Sequence, residues 1–426
     1  MRPEKETVFS GRLNSSYIRI KHRSGLEMRL CPMDGFSSAF AMLSVNFGSS
    51  DACFGLSEDK IAEVPSGVAH FLEHKLFESE EGDAFERFAA TGASANAYTS
   101  FDRTAYLFSC ADNFKESIEI LFDFVSNPYF TEQTVAKEQG IIAQEIKMYD
   151  DSADWRVMFN LLKALYHNNP IKLDIAGTVD SIAQIDAQLL YRCYNTFYNL
   201  SNMVLTIAGG FDPEVVLDAA DRILPNSAPV TVYRSASAEP AAVVQDYIEQ
   251  YLPISQPTFY IGFKGIPGDT KQNFIDQIRD EILCDIIAGE STWLYRRLYD
   301  DGLINSTFGA EVFCGRDHIN MMFLGESRDP LRVRQEINAE ITRILREGID
   351  PELFELCKKA TYGRYIRVFD KPEALSGMLA STYFADLTPY DLPEIVANTT
   401  IKHLTDRLVK CYDIARSSIS VILPKT

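Results

Sequence analysis

Gly67-Val68-Ala69-His70-Phe71-Leu72-Glu73-His74-Lys75-Leu76-Phe77 reads as one short helix. Ser66, just after Pro65, is expected to cap it, because a serine hydroxyl accepts from an orphan amide of the first turn. Val68, Leu72 and Leu76 recur at four-residue steps and predict a buried stripe. His70, Glu73 and His74 fall at i, i+3 and i+4, so they share a different face. Two imidazoles one turn apart, with a carboxylate beside them, are what a tetrahedral metal takes from a helix. The order H-x-x-E-H is the reverse of H-E-x-x-H. A histidine pair satisfied within a core has the same spacing. Yet the chain has only six histidines (His22, His70, His74, His167, His318 and His403), and two of them meet here beside a glutamate.

Outward from that helix, the first hundred residues read as strands. Tyr17 to Lys21 and Leu26 to Leu30 flank Ser24-Gly25, a hairpin signal, and Ser38 to Phe47 is a long apolar strand. A short helix is expected from Asp83 to Ala90. From Gly92 to Phe108 the pattern predicts two strands joined by a turn at Ser100 to Arg103. Small residues before Tyr98 let another backbone come close, so an exposed edge there can accept an extended peptide. An ordinary hairpin packed within a sheet fits the same residues. Helices dominate from Ala111 to Tyr198, with Phe114, Ile118, Leu121 and Val125 forming one apolar stripe. One long helix covers Thr131 to Asp150, and Asn202 to Ile207 is a strand.

The second half repeats this plan. Phe259 to Phe263 is a strand, Ser306 to Phe313 and Ile319 to Leu324 are strands, helices follow, and Ser418 to Leu423 closes the chain where Asn202 to Ile207 closes the first half. The fold class expected is therefore α+β, two duplicated domains, each a mostly antiparallel sheet with helices packed on one face. The boundaries expected are 1–228 for the domain carrying H-x-x-E-H, 229–244 for a loop-like linker, and 245–426 for a homologous domain without the motif. His318 and His403 stand alone in it and read as structural.

Composition narrows the functional classes. The chain has 426 residues, 46% of them apolar and 24% charged, which is usual for a soluble globular protein. A formal charge of -19 disfavours nucleic acid and anionic membranes as partners. The eight cysteines are scattered and form no C-x-x-C pair. They read as reduced thiols, and Met1 to Glu6 lacks the apolar stretch of a signal peptide, so a cytoplasmic location is expected.

Two histidines on one helix leave a zinc ion in need of a third protein ligand and a water. Glu73 faces the same way and is the natural general base. The third ligand comes from another segment, and residue type alone leaves Glu78, Glu86, Glu138 and Glu145 open. Glu138 and Glu145 lie seven residues apart on one helix face, about 10.5 Å along the axis, too far for both to bind one ion.

Three stretches together resemble the pitrilysin, insulinase and mitochondrial-processing-peptidase family of zinc metallopeptidases, the inverzincins. They are His70-Phe71-Leu72-Glu73-His74, then Gly92 through Tyr98-Thr99-Ser100 to Tyr106, and Glu138-Gln139-Gly140-Ile141-Ile142-Ala143-Gln144-Glu145-Ile146. The resemblance implies Zn2+ held by His70, His74 and Glu145, which stands 71 residues after His74. It also implies Glu73 as the catalytic base and Glu138 as the residue that orients the metal ligands. Asn96, Ala97 and Tyr98 would lie on the edge strand that holds a peptide substrate's backbone. Members of the family also draw on an arginine and a tyrosine, seven residues apart, from the second half of a peptidase unit. Here the tyrosine position holds Asn305 and the arginine position falls at Leu298 or Tyr299, with Arg296 and Arg297 at the wrong spacing. The expectation is a metal-carrying subunit that pairs with a related subunit supplying the pair, or a homodimer. The alternative is a metal-binding scaffold or assembly subunit.

Overall fold

The computed structural model describes residues 4–80, 82–235 and 238–425. Residues 236 and 237 of the expected linker and residues 1–3 at the start lie outside the described residues. The first sheet has seven strands: β1 (Lys5–Ser10), β2 (Ser15–Lys21), β3 (Glu27–Pro32), β4 (Ala39–Val45), β5 (Ser94–Thr99), β6 (Thr104–Cys110) and β7 (Met203–Gly209), in the order β1-β2-β3-β7-β4-β6-β5. The second has five: β8 (Tyr247–Leu252), β9 (Thr258–Lys264), β10 (Gly309–Cys314), β11 (Ile319–Glu326) and β12 (Ser417–Pro424), in the order β8-β12-β9-β11-β10.

The duplication is visible in the pairing. β7 runs parallel to β3 and antiparallel to β4. β12 runs parallel to β8 and antiparallel to β9. Thus β3-β7-β4-β6-β5 corresponds strand for strand to β8-β12-β9-β11-β10, and β1 and β2 are additions at the far edge of the first sheet. The α+β class and the duplication expected from the sequence hold, including the closing strand in each half, but helices lie on both faces of the first sheet and not on one, because its central strands are apolar throughout.

All seven residues of β4 are buried, as are all seven of β7. A strand without polar alternation is covered on both faces. Helices from the same half of the chain cover one face. The other is covered by the helix Pro372–Phe384, with Ala380 packed among Phe40, Met42, Ala105 and Val204. Ser376 Oγ donates to the Thr206 carbonyl at 3.0 Å. Buried Arg29 of β3 donates to the carbonyls of Leu379 (3.2 Å) and Leu387 (3.1 Å), placing a cation at that helix's C-terminal end.

The second sheet receives the helix Ala153–Leu165 in the same way, with Val157 packed on Leu252 and Ile422. Gly262 lets it lie close: a Cβ there would stand 2.8 Å from Leu161 Cδ2. The compact units are therefore discontinuous. One is Met1–Ile146, Asp174–Ala236 and Val368–Pro389; the other is Lys147–Leu173, Ser237–Arg367 and Tyr390–Thr426. They divide the chain differently from 1–228 and 245–426, because an apolar helix stripe does not tell which sheet it will meet. The linker expected at 229–244 is also partly tied down. Glu239 accepts from the backbone amides of His167, Asn168 and Asn169 (2.7–2.9 Å) and from buried Lys264 (2.6 Å).

Within the second unit, Glu281 on the helix Thr270–Ala288 accepts from Tyr365 Oη at 3.0 Å. Burial pushes its carboxyl up to about 7, against the lowering effect of Tyr365 and Arg364. The folded chain then holds a proton that the unfolded chain releases. Its contribution to stability is complete below about pH 4.5 and is lost as the pH rises to about 7. Glu281→Gln is expected to flatten the pH dependence of stability across that window, measured as denaturant midpoints. An unchanged slope would contradict the assignment. Among the described residues no helix is long and apolar enough to cross a membrane.

Candidate metal centre

The H-x-x-E-H segment forms helix α1, Val68–Leu76. Its N-cap is Gly67, not Ser66 as the sequence predicts. Gly67 has φ +90°, and a Cβ there would stand 2.5 Å from the Ala176 carbonyl oxygen, so only glycine fits. Ser66 serves by its carbonyl, which accepts from Ser181 Oγ at 2.8 Å. Val68, Leu72 and Leu76 are buried as expected, but so are Ala69, Phe71 and Lys75. The helix is enclosed on almost every side.

Glu145 arrives on the helix α2, Glu132–Asp150. His70 Nε2 lies 3.7 Å from Glu145 Oε1, and His74 Nε2 lies 3.6 Å from Glu145 Oε2. One ligand atom from each of the three residues falls within 4.8 Å of the others. Zinc bonds of about 2.0–2.1 Å in a tetrahedron separate ligand atoms by roughly 3.3 Å, so the two nitrogens and the carboxylate fit a shared divalent ion. Glu138, two turns earlier on α2, reaches the opposite side of the same imidazole, 3.0 Å from His74 Nδ1. That contact directs Nε2 towards Glu145 and fixes the ring. Of the other glutamates open on sequence grounds, Glu78 pairs with Lys75 and with Lys137, and Glu86 is exposed.

The electrostatics divide the two histidines. Burial, with the neighbouring charge of His74, pushes His70 down to about 3, so it is a neutral donor at physiological pH. Burial also pulls His74 down, but the Glu138 hydrogen bond and the charges of Glu73, Glu145 and Glu138 outweigh it and raise the group. Burial works to raise Glu138; the bond to His74 and the charges of His74, Lys75 and Lys137 bring it below the usual range. Fully buried Lys75, paired with Glu78 three residues on, is a charge that sequence reasoning passed over; the i, i+3 spacing was its only signal.

Glu73 is 8% exposed, and its Oε2 accepts from Thr99 Oγ1 at 2.6 Å. Burial raises its carboxyl, partly offset by Thr99 and His74 and reinforced by Glu145. Asn96, Ala97 and Tyr98 lie on β5, the outermost strand of the first sheet, which pairs with β6. Asn96 Oδ1 accepts from the Ala97 amide at 2.9 Å, and Tyr98 Oη lies 3.8 Å from Met42 Sδ. In the second half Leu298 is fully buried and Tyr299 is 51% exposed. Asn305 donates to Glu326 at 2.8 Å and accepts from the Thr307 amide at 2.9 Å. His403 caps its own helix, accepting from the Thr400 amide at 3.3 Å.

Residues 60–179 match the model of the insulinase family, peptidase family M16, and residues 184–361 match that of the peptidase M16 inactive domain. The chain is 34% identical over 421 residues to the "Uncharacterized zinc protease YmfH" of Bacillus subtilis (strain 168), covering 97% of this chain and 98% of the relative. It is 30% identical over 196 residues to the mitochondrial-processing peptidase subunit beta of Caenorhabditis elegans, covering 43% and 42% of the two chains. A crystal structure of an M16-like peptidase from Alicyclobacillus acidocaldarius overlays with a TM-score of 0.91 at 32% identity, covering 100% of this chain and 99% of that one. With near-complete coverage at this identity, and the H-x-x-E-H helix within the matched segment, the chain belongs to the insulinase family, peptidase family M16.

Proposed function

We propose that the protein is a zinc metalloendopeptidase that hydrolyses peptide bonds of short or unfolded polypeptides, docked as an added strand on β5. The observation that carries this reading is the convergence of His70, His74 and Glu145 beside a buried Glu73. Zinc bound there supplies a Lewis acid that polarises a carbonyl and acidifies water. His70, His74 and Glu145 would hold it, and Glu138 keeps His74 in register.

Glu73 takes a proton from the water that attacks the carbonyl carbon. It then passes the proton to the amine nitrogen as the carbon–nitrogen bond breaks. Asn96, Ala97 and Tyr98 lie along the strand whose main chain would pair with the substrate. Recognition of main chain makes side-chain preference modest.

The metal-carrying half of a heterodimer is the assembly this reading favours. Leu298 is buried, Asn305 is engaged with Glu326 and Thr307, and neither supplies the cation or phenol expected at these positions. The unbridged cysteines support a reducing compartment such as the cytoplasm.

The test is metal analysis with a quenched-peptide assay, on the purified chain alone and mixed with a related subunit. One metal per chain, weak cleavage alone and strong cleavage in the mixture are expected. Full activity of the isolated chain would exclude the heterodimer. A chain that binds metal and cleaves nothing with any related subunit would point to a scaffold.

A further inference from the structure

Thr99 ends β5, and its side chain leaves the sheet on the side of α1, where its hydroxyl meets Glu73 Oε2 at 2.6 Å. Glu73 is the close partner: the Thr104 hydroxyl, fully buried on β6, lies 3.4 Å away and itself donates to the Phe47 carbonyl at 2.9 Å. An ionised carboxylate only accepts, so the Thr99 hydroxyl donates to Glu73.

The main chain of Thr99 faces elsewhere. At the turn, the Ser100 amide donates to the Arg103 carbonyl at 2.8 Å, which makes Ser100 and Arg103 a hydrogen-bonded pair. Antiparallel pairs alternate, so Tyr98, Asn96 and Ser94 direct their amides and carbonyls to β6, while Thr99, Ala97 and Ala95 direct theirs to the free edge. Thr99 is therefore the residue at which the open edge of the sheet meets the buried carboxylate.

We propose that Thr99 is a positioning residue that couples strand addition to the general base: a peptide pairing with the Thr99 main chain fixes the backbone from which the hydroxyl holds Glu73. This inference rests on the peptidase reading of the site. A carboxylate held by one short hydrogen bond loses its aim when that bond is removed, and a misplacement of about 1 Å costs up to about 100-fold in rate. Thr99→Val keeps the β-branched shape and the strand preference while removing the hydroxyl.

The experiment compares Thr99→Val, Thr99→Ser and Glu73→Gln in the full chain, with its partner subunit where one is required. Thr99→Val is expected to lower kcat by about 10- to 100-fold with KM and metal stoichiometry unchanged. Thr99→Ser is expected to restore kcat to within about threefold. A crystal structure of Thr99→Val should find the Glu73 carboxylate displaced. If Thr99→Val folds poorly, Thr99→Ala replaces it, with the same expected kcat loss. Wild-type kcat in the hydroxyl-less variant, a loss confined to KM, failure of serine to rescue, or Glu73 unmoved would each overturn the proposal, provided Glu73→Gln abolishes cleavage. If Glu73→Gln cleaves normally, it is the peptidase reading that fails, and this inference with it.

Discussion

Glu73→Gln is expected to lower kcat by about 100- to 10,000-fold while the chain keeps its metal. The two outcomes separate because Glu73 lies outside the cluster formed by His70, His74 and Glu145. The amide is close in size to the carboxylate and can still accept from Thr99, so packing around the helix should survive. What it lacks is a basic oxygen. Burial already raises the Glu73 carboxyl, moving its basicity towards that of a group able to take a proton near neutral pH. Metal content by elemental analysis and kcat on a quenched peptide are the measurements. Unchanged cleavage would remove Glu73 from the chemistry; a lost metal would make it part of the binding site instead.

The largest effect on stability is expected at Arg407. Its guanidinium donates to Asp280 Oδ1 (3.0 Å) and Asp276 Oδ2 (2.9 Å), and Tyr412 also donates to Asp280. Arg407 is 7% exposed and Asp280 fully buried. Cutting the arginine back to alanine leaves a buried carboxylate without its cation, at a cost of about 3–5 kcal/mol. Arg407→Ala should therefore lower the denaturant midpoint of the second unit's unfolding. A double variant, Asp280→Asn with Arg407→Met, should recover much of the loss, since the fully buried charge is gone and Asp276 keeps its pairing with Arg279 at 3.2 Å. A single variant as stable as wild type would mean that the pair adds nothing beyond its desolvation cost.

What the sequence determined by itself is local chemistry and repeated order. The i, i+3, i+4 spacing of His70, Glu73 and His74 is set by helix geometry, so it could be read before any fold was known. The repeated order of strands and helices carried the duplication, because each half closes with a strand that its own pattern announces. Which glutamate meets the two histidines was not readable from residue type. Glu138 and Glu145 share one face of α2, and only the packing of that helix sets one carboxylate against His74 Nδ1 and the other between the two Nε2 atoms.

Tertiary structure alone also decided the cap of α1, where Ala176 crowds residue 67 and demands glycine. It decided that the helices Ala153–Leu165 and Pro372–Phe384 cover sheets built from the other half of the chain, because burial is undirected and an apolar stripe carries no address. And it decided that Thr99 reaches Glu73. The two residues are 26 apart in sequence, and the alternation of a strand puts one side chain against α1 only once β5 and the helix are packed together.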